Sequence, residues 1–150
     1  MSEHSACGAR NKVKLMGAYS YMKKSFQESF SQRSPQLRKR ISIWRKQRTI
    51  ERIDRPSDLP RARALGYKAM RGVYLARVRI RRGKRARDKP DQGRKPGRNV
   101  KRVAPGRPLD YYAMEKAAHR FPNLHAVHAY WVGEDGVFKY YEVILKEKNA

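Results

Sequence analysis

Val73-Tyr74-Leu75-Ala76-Arg77-Val78-Arg79-Ile80-Arg81-Arg82 alternates with a period of two. In an extended strand Tyr74, Ala76, Val78 and Ile80 fall on one side, and Arg77, Arg79 and Arg81 on the other. The apolar side predicts a sheet with a core behind it. The other side is expected to present guanidinium groups about 7 Å apart, comparable to the phosphate spacing of a nucleic-acid strand.

Working outward, the flanking segments supply the rest of a small domain. Arg48 to Ile53 reads as a short strand, broken by Asp54-Arg55-Pro56. Leu59 to Leu65 predicts a short helix with Pro60 in its first turn and Gly66 as a left-handed C-cap. Upstream, Tyr19 to about Ser31 places Tyr19, Met22, Phe26 and Phe30 on one helical face. Ser34-Pro35 reads as an N-cap followed by proline at the first helical position. The helix it opens, to about Lys46, has the apolar seam Leu37, Ile41 and Trp44. Downstream, Asp110 is expected to cap a helix whose shared face is Tyr111, Met114, Ala118 and Phe121, ended by Pro122. His125 to Trp131 reads as a strand, Gly133-Glu134-Asp135-Gly136 as a turn, and Phe138 to Lys146 as the returning strand of a hairpin. The predicted class is α+β: a β-α-β-α-β-β core with a small, mostly antiparallel sheet, N-terminal helices and a long basic loop.

Charge divides the chain. It carries 37 Lys+Arg against 13 Asp+Glu, a formal +24. Residues 1–109 hold 32 basic and 7 acidic side chains, or +25, and residues 110–150 hold 5 and 6, or −1. Self-repulsion on that scale calls for a polyanion, most often nucleic acid. Arg supplies 22 of the 37 cations. Its planar fork grips phosphate bidentately and stacks on bases, which favours RNA or DNA over an anionic membrane.

Residues 83–109 hold ten Lys or Arg, four Gly and four Pro, with few apolar groups. Such a segment cannot bury enough surface to fold alone, and it reads as a basic loop ordered on RNA. The expected organisation is a disordered extension over 1–15 and one domain over 16–150. Within that domain lie basic helices at 16–47 and an α+β core at 48–82 and 110–146. The candidate RNA-binding residues are Arg38, Arg40, Arg45, Lys46 and Arg48; Arg61, Arg63, Tyr67, Lys68 and Arg71; Arg77, Arg79, Arg81 and Arg82; and Lys84, Arg85, Arg87, Arg94, Lys95, Arg98, Lys101 and Arg102. Tyr67, set among Arg63, Lys68 and Arg71, is the aromatic expected to stack on a base.

Catalytic chemistry is weakly signalled. His125 and His128, three apart on a strand, are expected on opposite faces and so make a poor metal pair. Glu142 alternates with Tyr141 and Val143 and is expected to pair with an Arg on a neighbouring strand. A small nuclease using His119, His125, His128 or Glu142 is the enzymatic alternative. No Ser/His/Asp set or phosphate-cradling glycine loop stands out, and no cofactor is expected. Cys7 is the sole cysteine, so no disulfide framework is expected and a reducing, cytoplasmic setting fits. No run reaches the roughly 18 apolar residues of a membrane span, and the first residues lack the apolar stretch of a signal peptide.

Four stretches in order carry a resemblance: Met16-Gly17-Ala18-Tyr19; Ala62-Arg63-Ala64-Leu65-Gly66-Tyr67-Lys68-Ala69; Arg77-Val78-Arg79-Ile80-Arg81-Arg82-Gly83; and Tyr130-Trp131-Val132-Gly133-Glu134-Asp135-Gly136 with Phe138 and Glu142-Val143-Ile144-Leu145. Over residues 16–145 the chain resembles the large-subunit ribosomal protein fifteen of archaea and eukaryotes, the "e" type, in an archaeal-looking form. The resemblance implies a structural component of the large ribosomal subunit that binds large-subunit ribosomal RNA through a broad basic surface. Neighbouring subunit proteins would be its other partners, with no catalytic residue and no small-molecule substrate. It implies an N-terminal extension before Met16 and a shortened C-terminus, since the family pattern runs on into a basic, Gly-rich tail. The competing reading is a non-ribosomal, non-specific nucleic-acid-binding protein.

Overall fold

A computed structural model describes residues 17–83, 85–86, 102–103 and 106–148. Four antiparallel strands form the main sheet: β1 (Ile50–Ile53), β2 (Val73–Arg81), β6 (Phe138–Glu147) and β5 (Leu124–Glu134), in that spatial order. Helices α1 (Ala18–Ser31) and α2 (Pro35–Lys46) precede β1, α3 (Leu59–Ala64) joins β1 to β2, and α4 (Leu109–Arg120) precedes β5. The α+β class and the element order match the expectation. An additional short antiparallel pair, β3 (Arg85–Ala86) with β4 (Arg102–Val103), joins the two ends of the basic segment. Two-residue strands leave no periodicity to read in advance. The expected extension over 1–15, and most of the basic loop, lie outside the described residues.

Both faces of the sheet are covered. On one, α2 lays Leu37, Ile41 and Trp44 against Leu75, Tyr130, Val132, Tyr140 and Ile144, with Ala62 of α3 in the same cluster. On the other, Ala113 and Ala117 of α4 meet Ala76, Val78, Ile80, Tyr141, Val143 and Leu145. The central strand β6 is therefore buried without a break from Tyr140 to Leu145, as strands enclosed on both faces are.

The local signals explain the ends. Ser34 accepts a hydrogen bond from the Leu37 amide, and Pro35 opens α2. Gly66 takes φ +87 after α3. Its amide donates to the Arg63 carbonyl and the Tyr67 amide to the Ala62 carbonyl, a Schellman closure. The same pattern ends α1: the Arg33 amide donates to Phe30 and the Ser34 amide to Ser29. There the left-handed position is held by Arg33, φ 47.

Several expectations are corrected. The buried stripe of α4 is Ala113 and Ala117, whereas Tyr111 and Ala118 are exposed. Alanine lets the helix approach the sheet closely, a signal weaker than bulk in an apolar pattern. Asp110 lies inside the first turn and does not cap it; Pro108 is the N-cap. Tyr19 and Met22 are exposed, and only Phe26 and Phe30 of the predicted α1 face pack, edge-on, against Trp131. Gly133 and Glu134 belong to β5, so the turn is tighter, at Asp135 to Val137. A bulge between Ala126 and His128 puts His125 and His128 on the same side of β5, where both are exposed.

Candidate nucleic-acid interface

The alternation in β2 assigns sides correctly but not their surroundings. The arginine side of β2 faces α2. The Arg77 guanidinium lies 4.5 Å from the Trp44 ring centroid and donates 2.8 Å to Oε1 of Gln47. Arg79 lies over Phe138 and donates to the Arg45 carbonyl in the last turn of α2, where the helix dipole favours a cation. Arg82 donates to the Asp135 carbonyl and approaches Glu134 at 3.5 Å. Arg77 and Arg79 are half-buried, whereas Arg81 and Arg82 are exposed. The expected ladder of exposed guanidinium groups is instead the mortar between β2, α2 and the β5–β6 turn. Long arginine stems lie readily on apolar surface.

Arg77 belongs to a row that crosses all four strands. Register sets Glu51 opposite Arg77, Arg77 opposite Glu142, and Glu142 opposite Tyr130. Glu142 is fully buried. Its carboxylate accepts hydrogen bonds from the Ser57 amide, the Ser57 hydroxyl and, at 2.7 Å, the Tyr130 hydroxyl. The expected Arg partner is thus a charge neighbour across the ladder, and the direct partners are Ser57 and Tyr130. Burial pushes the Glu142 carboxyl above its ordinary range, although the Ser57 and Tyr130 hydrogen bonds and Arg77 pull against it. Burial likewise lowers Arg77, with Glu142 and Glu51 opposing. Glu142 is sealed from solvent, so it has no access to substrate as a nuclease base.

Asp135 is a second inward-turned carboxylate. It accepts from the Val137 and Phe138 amides, from Nε of Arg45 at 2.9 Å and from the Tyr140 hydroxyl. Burial pushes its carboxyl up, yet these donors together outweigh burial and hold it below the usual range. Reading this segment as turn-forming missed that Asp135 also ties α2 to the hairpin.

Tyr67 is corrected most clearly. It is 8% exposed and belongs to the core beside Ala62. The Schellman closure turns it under α3, so its ring is not available for a base. Arg63, by contrast, lies outside, over the exposed Tyr19 ring, and bonds its hydroxyl.

The exposed cations collect elsewhere. Arg38, Lys39, Arg40 and Lys46 are exposed on the sides of α2 away from its buried seam, and Arg48 is exposed just beyond the helix end. Arg61, Arg63, Lys68 and Arg71 are exposed around α3 and the turn after it. None of these nine forms an ion pair among the described residues; Arg45, bound to Asp135, does. Arg38 donates to the Arg33 carbonyl. Arg33, Arg52 and Arg55 are also exposed. Each stands without a basic neighbour in the sequence, so no run of cations marks it. Arg85 and Arg102 lie in β3 and β4. Lys84, Arg87, Arg94, Lys95, Arg98 and Lys101 lie outside the described residues.

The fold and this surface define a class: a small, strongly basic α+β protein with buried carboxylates turned inward and, among the described residues, cations without ion-pair partners turned outward. Residues 17–150 match the family described as Ribosomal L15, in its L15e form, and the chain belongs to that family. It is 44% identical over 136 residues to a protein of Metallosphaera sedula named large ribosomal subunit protein eL15, covering 90% of this chain and 62% of the relative. A protein of the same name from Methanocorpusculum labreanum is 44% identical over 115 residues, covering 76% of this chain and 59% of the relative. The chain spans about three fifths of the length of the curated relatives it matches. Among the described residues, no helix is long and apolar enough to cross a membrane.

Proposed function

We propose that this chain is a structural constituent of the large ribosomal subunit in the cytoplasm. It binds large-subunit ribosomal RNA through its Arg- and Lys-rich surface. Neighbouring subunit proteins are its other partners, and it has no catalytic step or cofactor. Family membership supports the assembly. The observation that carries the RNA reading is α2, whose apolar seam is buried while Arg38, Lys39, Arg40 and Lys46 project outward without carboxylate partners among the described residues. A helix decorated on its remaining sides suits a crevice between phosphate backbones, where counterion release drives binding. RNA is preferred over DNA through A-form shape and 2′-hydroxyl contacts.

Sucrose-gradient fractionation of the native cells, with subunits washed at high salt, tests the reading. Stoichiometric retention on the large subunit is expected. Recovery of the chain free, or on other nucleic acid, would instead identify a non-ribosomal nucleic-acid-binding protein.

A further inference from the structure

A cleft of about 740 Å³ opens at the outer edge of β5. Phe26 of α1 and Trp131 of β5 form its aromatic wall, with ring centroids 6.5 Å apart and planes at 84°. Both rings are only half-buried. Lys23 and Gln27 of α1, Arg61 of α3 and Asp110 at the start of α4 also line it. β5 is an edge strand, and its Ala129, Tyr130 and Trp131 line the cleft.

These features sort by chemistry. Two perpendicular rings offer one surface for stacking and one edge for a contact at right angles. Gln27, Asp110 and the free edge of β5 are sources of hydrogen-bond donors and acceptors beside the rings. Lys23 and Arg61 are cations suited to phosphate, while the Asp110 carboxylate repels it. An aromatic heterocycle with hydrogen-bonding edges is thereby directed inward and an attached phosphate outward. Clefts of this size hold ligands of nucleotide dimensions.

We propose that this cleft receives a single nucleotide extruded from the RNA, its base against Phe26 and Trp131 and its phosphate toward Lys23 and Arg61. This rests on the RNA-binding reading above and adds a base-receiving site to a surface otherwise directed at phosphate. Sequence-specific RNA recognition favours such unstacked bases.

The test compares the full chain's affinity for two RNA hairpins at one salt concentration, one fully paired and one with a single-nucleotide bulge carrying 2-aminopurine. The bulged hairpin is expected to bind about tenfold more tightly, with the 2-aminopurine fluorescence quenched on binding. Gln27→Ala, at an exposed position, should reduce that preference and leave paired-hairpin affinity and thermal stability unchanged, and Asp110→Asn, which also removes a charge that repels phosphate, should reduce the preference without weakening paired-hairpin binding. Trp131→Phe should keep the fold and partly retain the preference. Equal binding of the two hairpins, or a preference untouched by Gln27→Ala and Asp110→Asn together, overturns the base site and leaves the phosphate-binding surface standing. Failure of both hairpins to bind overturns both readings.

Discussion

Arg77 and Glu142 stand directly opposite one another across the β2–β6 ladder, a cation and a carboxylate in the middle of a sheet covered on both faces. Each has partners of its own: Trp44 and Gln47 for Arg77, Ser57 and Tyr130 for Glu142. Removing one buried charge strands the groups that satisfied it. Glu142→Ala should therefore destabilise the chain by about 3–5 kcal/mol, read as the midpoint of urea unfolding. Glu142→Gln keeps the shape and one acceptor and should cost less. The folded carboxyl titrates above its ordinary value, so the folded chain holds that proton more tightly than the unfolded one. Its contribution is thus greatest at acid pH and declines as pH rises through the raised value. Glu142→Gln should remove that dependence.

Trp44 fixes α2 to the sheet, and Gly133 makes room for it. A Cβ on Gly133 would lie 3.1 Å from the Trp44 ring. That ring is also held by Arg77 on β2 and by Tyr140 at 5.3 Å, so it has little freedom to retreat. Gly133→Ala is expected to destabilise by about 1–3 kcal/mol through overpacking. An unchanged melting temperature would show that the α2 contact yields more easily than this packing implies.

Arg33 holds a left-handed backbone at the C-terminus of α1, a position where a side chain costs about 1 kcal/mol relative to glycine. Arg33→Gly should raise stability by roughly that amount, and the unfolding midpoint measures it. A loss of stability would mean that the Arg33 side chain makes contacts worth more than the strain it relieves.

Alkaline unfolding should report on Tyr140. Burial, with the Asp135 hydrogen bond, pushes its phenol up to about 12. Below the ordinary value of 10.0 its contribution is fully present. Between the ordinary and raised values the folded chain binds the proton more tightly than the unfolded chain, so stability falls as pH rises. Tyr140→Phe should flatten the decline over that window, although Tyr130, also raised by burial and Glu142, keeps part of it.

Surface and structural arginines should separate cleanly. Lys39→Ala, Arg40→Ala and Lys46→Ala together should flatten the slope of log affinity against log salt for RNA by roughly 2–3, if each meets one phosphate. Their melting temperature should stay within experimental error of the parent. Arg77→Ala should lower stability first, because its guanidinium lies inside the protein. An unchanged slope in the triple variant would remove α2 from the RNA surface.

The elements were legible because their signals are local. Alternation in β2, the Leu37-Ile41-Trp44 spacing, Ser34-Pro35 and Gly66 each constrain the backbone within a few residues. What covers a face is not local. The arginine side of β2 reads as solvent-facing until α2 is known to lie on it. The inward position of Tyr67 follows from the hydrogen bonding after α3, which no aromatic-among-cations pattern reveals. The β5 bulges insert Val127 and Val132, ordinary strand residues that betray no change of register. Of the cationic surface, α2 and the turn after α3 were readable from charge without partners. Which arginines serve the interior was not, since a buried arginine and an exposed one look alike in sequence.

The β3–β4 pair bears on how this fold tolerates change. It brings Ala86 and Arg102 side by side, about 4.8 Å apart in the pairing direction. Closing the intervening chain is therefore an entropic cost met when the protein folds. That cost grows only logarithmically with length, about 0.6 kcal/mol per doubling. Insertions or deletions between these two residues should leave the melting temperature nearly constant, making this the position where the chain can vary in length without retuning its core.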